Sequence, residues 1–123
     1  MNLLLDTHIL LWWLADDPAL PEEHRSAIAD PTNAVFASAA SAWEIAIKKA
    51  IGKLIAPDDL AAVLTTSELE QLPVTVAHAE AVGWLPMHHR DPFDRMLIAQ
   101  AQIENLVVVT VDPVFGQYEV VTA

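Results

Sequence analysis

The chain has 123 residues, no cysteine and a formal net charge of −11, with 54% hydrophobic residues and a mean hydropathy of +0.34. This length suits one domain with one core and the composition excludes a disordered chain. The missing cysteine excludes disulfides, thiolate catalysis and sulfur-ligated zinc. The acidic balance excludes a protein whose whole surface grips phosphate backbones, while leaving room for a local basic patch. No apolar run approaches the roughly 20 residues of a membrane span. The opening MNLLLDTH lacks the basic stretch of a signal peptide, so a reducing cytoplasm is the expected location.

Taken in order, residues 2–5 form a short apolar run that reads as a buried strand, with Asp6 at its carboxyl end. Residues 7–14 read as a helix closed by Asp17 and Pro18. Trp12 and Trp13 cannot both point inward from it, so one is expected to mark a partner surface. Residues 21–30 give a second helix, with Pro21, Glu22 and Glu23 in its first turn, and residues 34–37 a brief strand. Residues 38–41 lead into a helix through Ile51, stopped by Gly52. There Ser41 and Glu44 match a capping box, which predicts Glu44 in the first turn, and Glu44 precedes Lys48 in the favourable i,i+4 order.

Residues 57–72 supply further helical turns with Leu60, Val63, Leu64, Leu69 and Leu72 facing the core. Residues 73–76 are read as a short strand and residues 78–84 as another helix. The stretch HHRDPFDRMLIAQAQ then ends a loop and opens a helix, with Asp91 as N-cap, Pro92 at the first position and Asp94 in the first turn. Leu97, Ile98 and Ala101 bury one face of that helix, which fixes where the Asp94 carboxylate points. Asn105 marks a turn. Residues 106–111 are the clearest strand, a β-branched run expected at the centre of a parallel sheet and ending at Asp112 and Pro113. A last strand is expected near residues 119–121. Strands alternating with helices predict a single α/β domain over residues 1–123, with a mostly parallel central sheet flanked by helices.

Four acids sit at comparable junctions of strand and helix: Asp6, Glu44, Asp94 and Asp112. Each has an ordinary account alone, since an acid in a first turn faces the positive end of the helix dipole. In an open parallel sheet, however, ligands bind beyond the carboxyl ends of the strands, and helix N-termini open toward the same edge. All four carboxylates are thus expected to converge. Like charges at such separations cost about 4 kcal/mol per pair at an effective dielectric of 20, so the cluster should raise carboxylate pKa values or bind a cation. Oxygen ligands without sulfur favour Mg²⁺ or Mn²⁺, and an ion so held suits phosphodiester hydrolysis. Five of the six basic residues, Lys48, Lys49, Lys53, Arg90 and Arg95, lie near two of these acids in sequence. His8, His88 and His89 read as hydrogen-bonding loop residues.

Four blocks in this order, LLLDTHILLWWL, SAASAWEIAIKKAIGKL, HHRDPFDRMLIAQAQ and LVVVTVDPVFGQY, span nearly the whole chain. By them the sequence resembles PIN-domain ribonucleases, and more narrowly the VapC-type toxins of bacterial toxin–antitoxin pairs. The resemblance implies a metal-dependent endoribonuclease in which Asp6, Glu44, Asp94 and Asp112 are the catalytic and metal-binding set for Mg²⁺ or Mn²⁺. Asp6 and Asp94 would be the nearest ligands, with Asp112 and Glu44 acting through bound water. Thr7 and Thr110 match hydroxyls that support the acids, and Lys48, Arg90 and Arg95 are candidate RNA contacts. Where some PIN nucleases carry a further acid after the Asp112 position, Val114, Phe115 and Gly116 offer none. The resemblance also implies a cognate antitoxin as partner, and homodimers within larger toxin–antitoxin assemblies. The alternative is a catalytically silent PIN-like module that binds an antitoxin for transcriptional regulation. A receiver-type phosphoacceptor is disfavoured, because Asp6 stands alone and no lysine follows Lys53.

Overall fold

The computed structural model describes residues Met1–Ala123 as a three-layer α/β domain. Strand β1 (Asn2–Leu5) leads into α1 (Thr7–Leu14) and α2 (Glu22–Ala29), and β2 (Ala34–Ser38) into α3 (Ala39–Ala50) and α4 (Leu60–Thr66). Then come β3 (Glu70–Leu72), α5 (Val76–Val82), α6 (Pro92–Glu104), β4 (Val107–Val109) and a 3₁₀ turn over Pro113–Gln117. The four strands are parallel in the order β3-β2-β1-β4. No helix is long and apolar enough to cross a membrane.

The side-chain alternation of a strand explains the layers. In β1, Leu3 and Leu5 join Ile9, Leu10, Ile28, Ile45 and Leu64 in a core under α1 to α4. Leu4 points the other way, into a core with Leu97, Ile98, Val108 and Phe115 under α6. All three leucines are fully buried, so β1 is the common wall of both cores. The chain builds outward from β1 through β2 to β3, then crosses the opposite face with α5 and α6 to place β4 on the far side of β1. The strand order thus reverses between β1 and β4, and their carboxyl ends are where such a fold opens its crevice.

Several expectations change. The valine run lies at the edge of the four-stranded sheet and not at its centre. It is two-sidedly apolar because helices cover both faces, and a bridge from Val108 to Thr122 protects its outer side, with the Val108 N–H donating to the Val121 carbonyl at 2.9 Å. The strand expected at residues 119–121 shrinks to that bridge. The strand expected at residues 73–76 lies earlier, at Glu70–Leu72, because Thr75 caps α5 by accepting the His78 N–H. Trp12 and Trp13 both pack partly against the first core, whereas Trp43 and Trp84 are the exposed tryptophans. Gly52, at φ +72°, ends the α3 region, and Asn105, at φ 55°, ends α6.

Candidate active site

Asp6 follows β1 and caps α1. Its Oδ1 accepts the Ile9 N–H at 2.8 Å and its Oδ2 accepts the Thr110 hydroxyl. Thr110, just beyond β4, spans the switch point: its Oγ1 also accepts the Asp112 N–H at 3.0 Å. Asp112 in turn caps the 3₁₀ turn through Oδ1, which accepts the Val114 N–H at 2.9 Å, and turns Oδ2 toward His89 Nε2 at 3.2 Å. The same Nε2 lies 2.9 Å from Asp94 Oδ2. As expected, Asp91 is the N-cap of α6 and Pro92 its first residue, with Asp91 Oδ1 accepting the N–H groups of Phe93 and Asp94. Asp6, Asp112 and Asp94 are thereby linked through one hydroxyl and one imidazole.

Glu44 arrives differently from the expectation. Ser38, not Ser41, caps α3 by accepting the Ala40 N–H at 3.0 Å, so Glu44 sits in the second turn and no capping box forms. Ser41 is buried inside the helix, where its Oγ accepts the Thr7 hydroxyl at 2.9 Å. Thr7 therefore ties α1 to α3 and does not bond an acid. Glu44 Oε2 binds Lys48 Nζ at 2.6 Å, with the Glu44 side chain only 6% exposed. Its Oε1 is buried and has no hydrogen-bond partner. A cleft of about 490 Å³ lined by Thr7, His8, Glu44, Lys48 and Lys53 opens beside it.

The electrostatics bring Glu44 into the same group. Burial, then the charge of Asp91, pushes the Asp94 carboxyl up to about 7; His89 opposes this, while Asp6 and Glu44 add to it. Burial raises Asp6 as well, against the opposing hydrogen bonds from Thr110 and Ile9. Lys48 is held above its usual range by its hydrogen bond to Glu44, with Asp91 and Asp94 adding to the effect. The four expected acids thus share one negative field at the carboxyl edge of β1 and β4.

This arrangement fits a divalent cation. A buried carboxylate oxygen without a donor costs roughly 1–3 kcal/mol or more, and Glu44 Oε1 is such an atom. Crowded carboxylates are relieved by positive charge, and hard oxygen ligands suit Mg²⁺ or Mn²⁺. Nitrogen or oxygen atoms of His89, Asp94 and Asp112 also lie within 4.8 Å of one another.

The basic residues separate. Arg90 is exposed and Lys48 half-exposed beside the acids. Arg95 is buried, contrary to its expected place against RNA: Nη1 donates to the Pro86 carbonyl at 2.9 Å and Nη2 to the Val82 carbonyl at 3.0 Å. Its position, one residue after Asp94, turns it to the inner face of α6, which spacing along that helix could have revealed. The role of His89 had no such signal. It depends on Tyr118, whose hydroxyl accepts the N–H groups of His88 and His89 from far along the chain.

A model of the PIN domain family matches residues 3–121. Among solved structures, the chain is similar over its full length to VapBC2 from Rickettsia felis bound to a DNA fragment from their promoter, with 16% identity, TM-score 0.72 and 98% of that chain covered. It is likewise similar to DNA-bound VapBC from Salmonella typhimurium, with 20% identity, TM-score 0.69, and 100% and 97% of the two chains covered. A third similar structure is VapBC-1 from nontypeable Haemophilus influenzae, with 21% identity, TM-score 0.69, and again 100% and 97% covered. No curated protein matches the sequence.

Proposed function

This chain belongs to the PIN domain family, and from that premise we propose that it is a Mg²⁺- or Mn²⁺-dependent endoribonuclease acting as the toxin of a toxin–antitoxin pair. The observation that carries the proposal is the meeting of Asp6, Glu44, Asp94 and Asp112 at the switch point, with Glu44 Oε1 buried and unpaired. The whole-length likeness to toxin–antitoxin structures supports the choice of partner.

In this reading Asp6 and Asp94 are the residues that hold the ion, and Asp112 and Glu44 complete the set. A bound divalent ion lowers the pKa of its water and stabilises negative charge on the scissile phosphate. The chain's own side chains prepare that site. Thr110 fixes the Asp6 Oδ2 lone pairs and Lys48 orients Glu44 so that Oε1 stays free. Burial and the neighbouring acids hold the Asp94 carboxyl up at about 7, a cost that positive charge in the site would relieve. In this reading Lys48, half-exposed, and Arg90, exposed, meet RNA phosphates, while the antitoxin covers the acidic groove. The homodimer, the hetero-oligomer with antitoxin and the cytoplasmic location belong to the same proposal.

The test is cleavage of total RNA by the purified protein with Mg²⁺ or Mn²⁺, with EDTA and Asp94→Asn as controls. Discrete fragments that vanish in both controls support the nuclease. A folded, antitoxin-free protein that binds antitoxin but leaves RNA intact would make it a silent binding module.

A further inference from the structure

We propose that His89 is a positioning residue of the acidic site and not one of its ligands: its ring, held in a single tautomer by the backbone of Asp91, keeps the Asp112 carboxylate beside that of Asp94. This rests on the metal-dependent reading above and adds a residue to it.

Distance alone suggests a ligand, since one atom each of His89, Asp94 and Asp112 lie within 4.8 Å of one another. The hydrogen bonds argue otherwise. His89 Nδ1 accepts the Asp91 N–H at 3.2 Å. A ring nitrogen that accepts from an amide carries no proton, so the proton of the neutral ring is on Nε2. That Nε2–H donates to Asp112 Oδ2 at 3.2 Å, with Asp94 Oδ2 2.9 Å from the same nitrogen. The Nδ1 lone pair faces an amide and Nε2 bears hydrogen, which leaves no lone pair for a cation. A metal-bound histidine shows the reverse pattern, its other nitrogen donating to a neighbour.

The loop that carries the ring is fixed from two sides. Tyr118 Oη accepts the N–H groups of His88 at 3.1 Å and His89 at 2.8 Å, and donates to the Pro86 carbonyl at 2.9 Å. Arg95 donates to the same Pro86 carbonyl and to that of Val82. The ring also stands edge-on to Phe115, with centroids 6.1 Å apart and an interplanar angle of 87°. The imidazole therefore has a set position, and Asp112, whose side chain is 35% exposed, takes its Oδ2 orientation from it.

Two measurements test this. Nitrogen NMR of ¹⁵N-histidine-labelled, metal-free protein should find His89 protonated at Nε2 and not at Nδ1, and Mn²⁺ bound to the site should show no ¹⁴N coupling in pulsed EPR. In Mn²⁺ titrations His89→Ala should bind roughly tenfold or more weakly. His89→Gln, whose amide nitrogen reaches the place of Nε2, should recover most of the loss, and His89→Asn should not. A proton on Nδ1, a nitrogen coupling to bound Mn²⁺, or an Ala variant that binds Mn²⁺ as the wild type does would each overturn the proposal. Should the Ala variant fail to fold, the wild-type tautomer still decides. A wild-type protein that binds no Mn²⁺ and cuts no RNA defeats the nuclease reading, while the tautomer separately decides the His89 hydrogen bond.

Discussion

Replacing Asp94 by Asn should stabilise the metal-free protein at alkaline pH. The Asp94 carboxyl moves from an ordinary 3.8 to about 7 because it is buried among Asp91, Asp6 and Glu44. Between those values the unfolded chain releases the proton and the folded chain keeps it, so stability falls as pH rises through this window. At about 1.4 kcal/mol per pH unit the loss approaches 4 kcal/mol above pH 7, of which roughly 2–3 kcal/mol falls between pH 5 and pH 8. Asn is nearly isosteric and cannot ionise. Urea denaturation in EDTA at pH 5 and pH 8 should therefore show the wild type losing about that amount relative to Asp94→Asn. Comparing the two proteins cancels the titration of the histidines remote from Asp94, though not of His89, which lies 2.9 Å from it. Saturating Mg²⁺ or Mn²⁺ should restore the wild type at pH 8, by about 2.7 kcal/mol at a hundred times its Kd, and leave the variant nearly unchanged. Parallel pH profiles for the two proteins would refute the crowding of Asp94 and, with it, the convergence of the acids.

Other perturbations separate positioning from contact. Thr110→Val removes the hydroxyl that bridges Asp6 Oδ2 and the Asp112 N–H; it should cost about 1–3 kcal/mol in denaturation and weaken Mn²⁺ binding roughly 10- to 100-fold by calorimetry. Arg95→Met removes a buried guanidinium that donates to the carbonyls of Pro86 and Val82, leaving them only the Tyr118 hydroxyl and the Leu85 N–H, so it should lower stability by about 1–3 kcal/mol. Arg90→Ala, at an exposed position, should leave stability within about 0.5 kcal/mol and reduce the salt dependence of RNA binding by about one phosphate contact.

What could be read from the chain alone was the part fixed by local chemistry. Asp6 and Asp112 follow apolar runs, and Asp91-Pro92 announces a helix start, so three of the four acids were placed by capping rules and strand patterning. Glu44 reaches its position by a route other than the capping pattern. Ser41-x-x-Glu44 has the capping pattern, but β2 runs out to Ser38, which takes the cap first and pushes Glu44 into the second turn. The valine strand has the pattern of a central one because burial on both faces looks the same at an edge whose outer side the last residues cover. The place of His89 depends on a partner distant in sequence, Tyr118, and no spacing rule encodes a hydroxyl that collects two amides across the fold.

The burial of β1 on both faces has a consequence for motion. Amide exchange follows the opening of the segment that holds each hydrogen bond, and fully buried core strands open only when the whole domain unfolds. Leu3, Leu4 and Leu5 are fully buried in two cores, so Asp6 is rooted in the slowest-exchanging part of the molecule. His89 sits instead on a surface loop between exposed His88 and Arg90, tied down by the Tyr118 hydroxyl and the Arg95 guanidinium. One side of the acidic cluster thus rests on a strand buried in two cores, while the other depends on a few hydrogen bonds to one hydroxyl and one guanidinium.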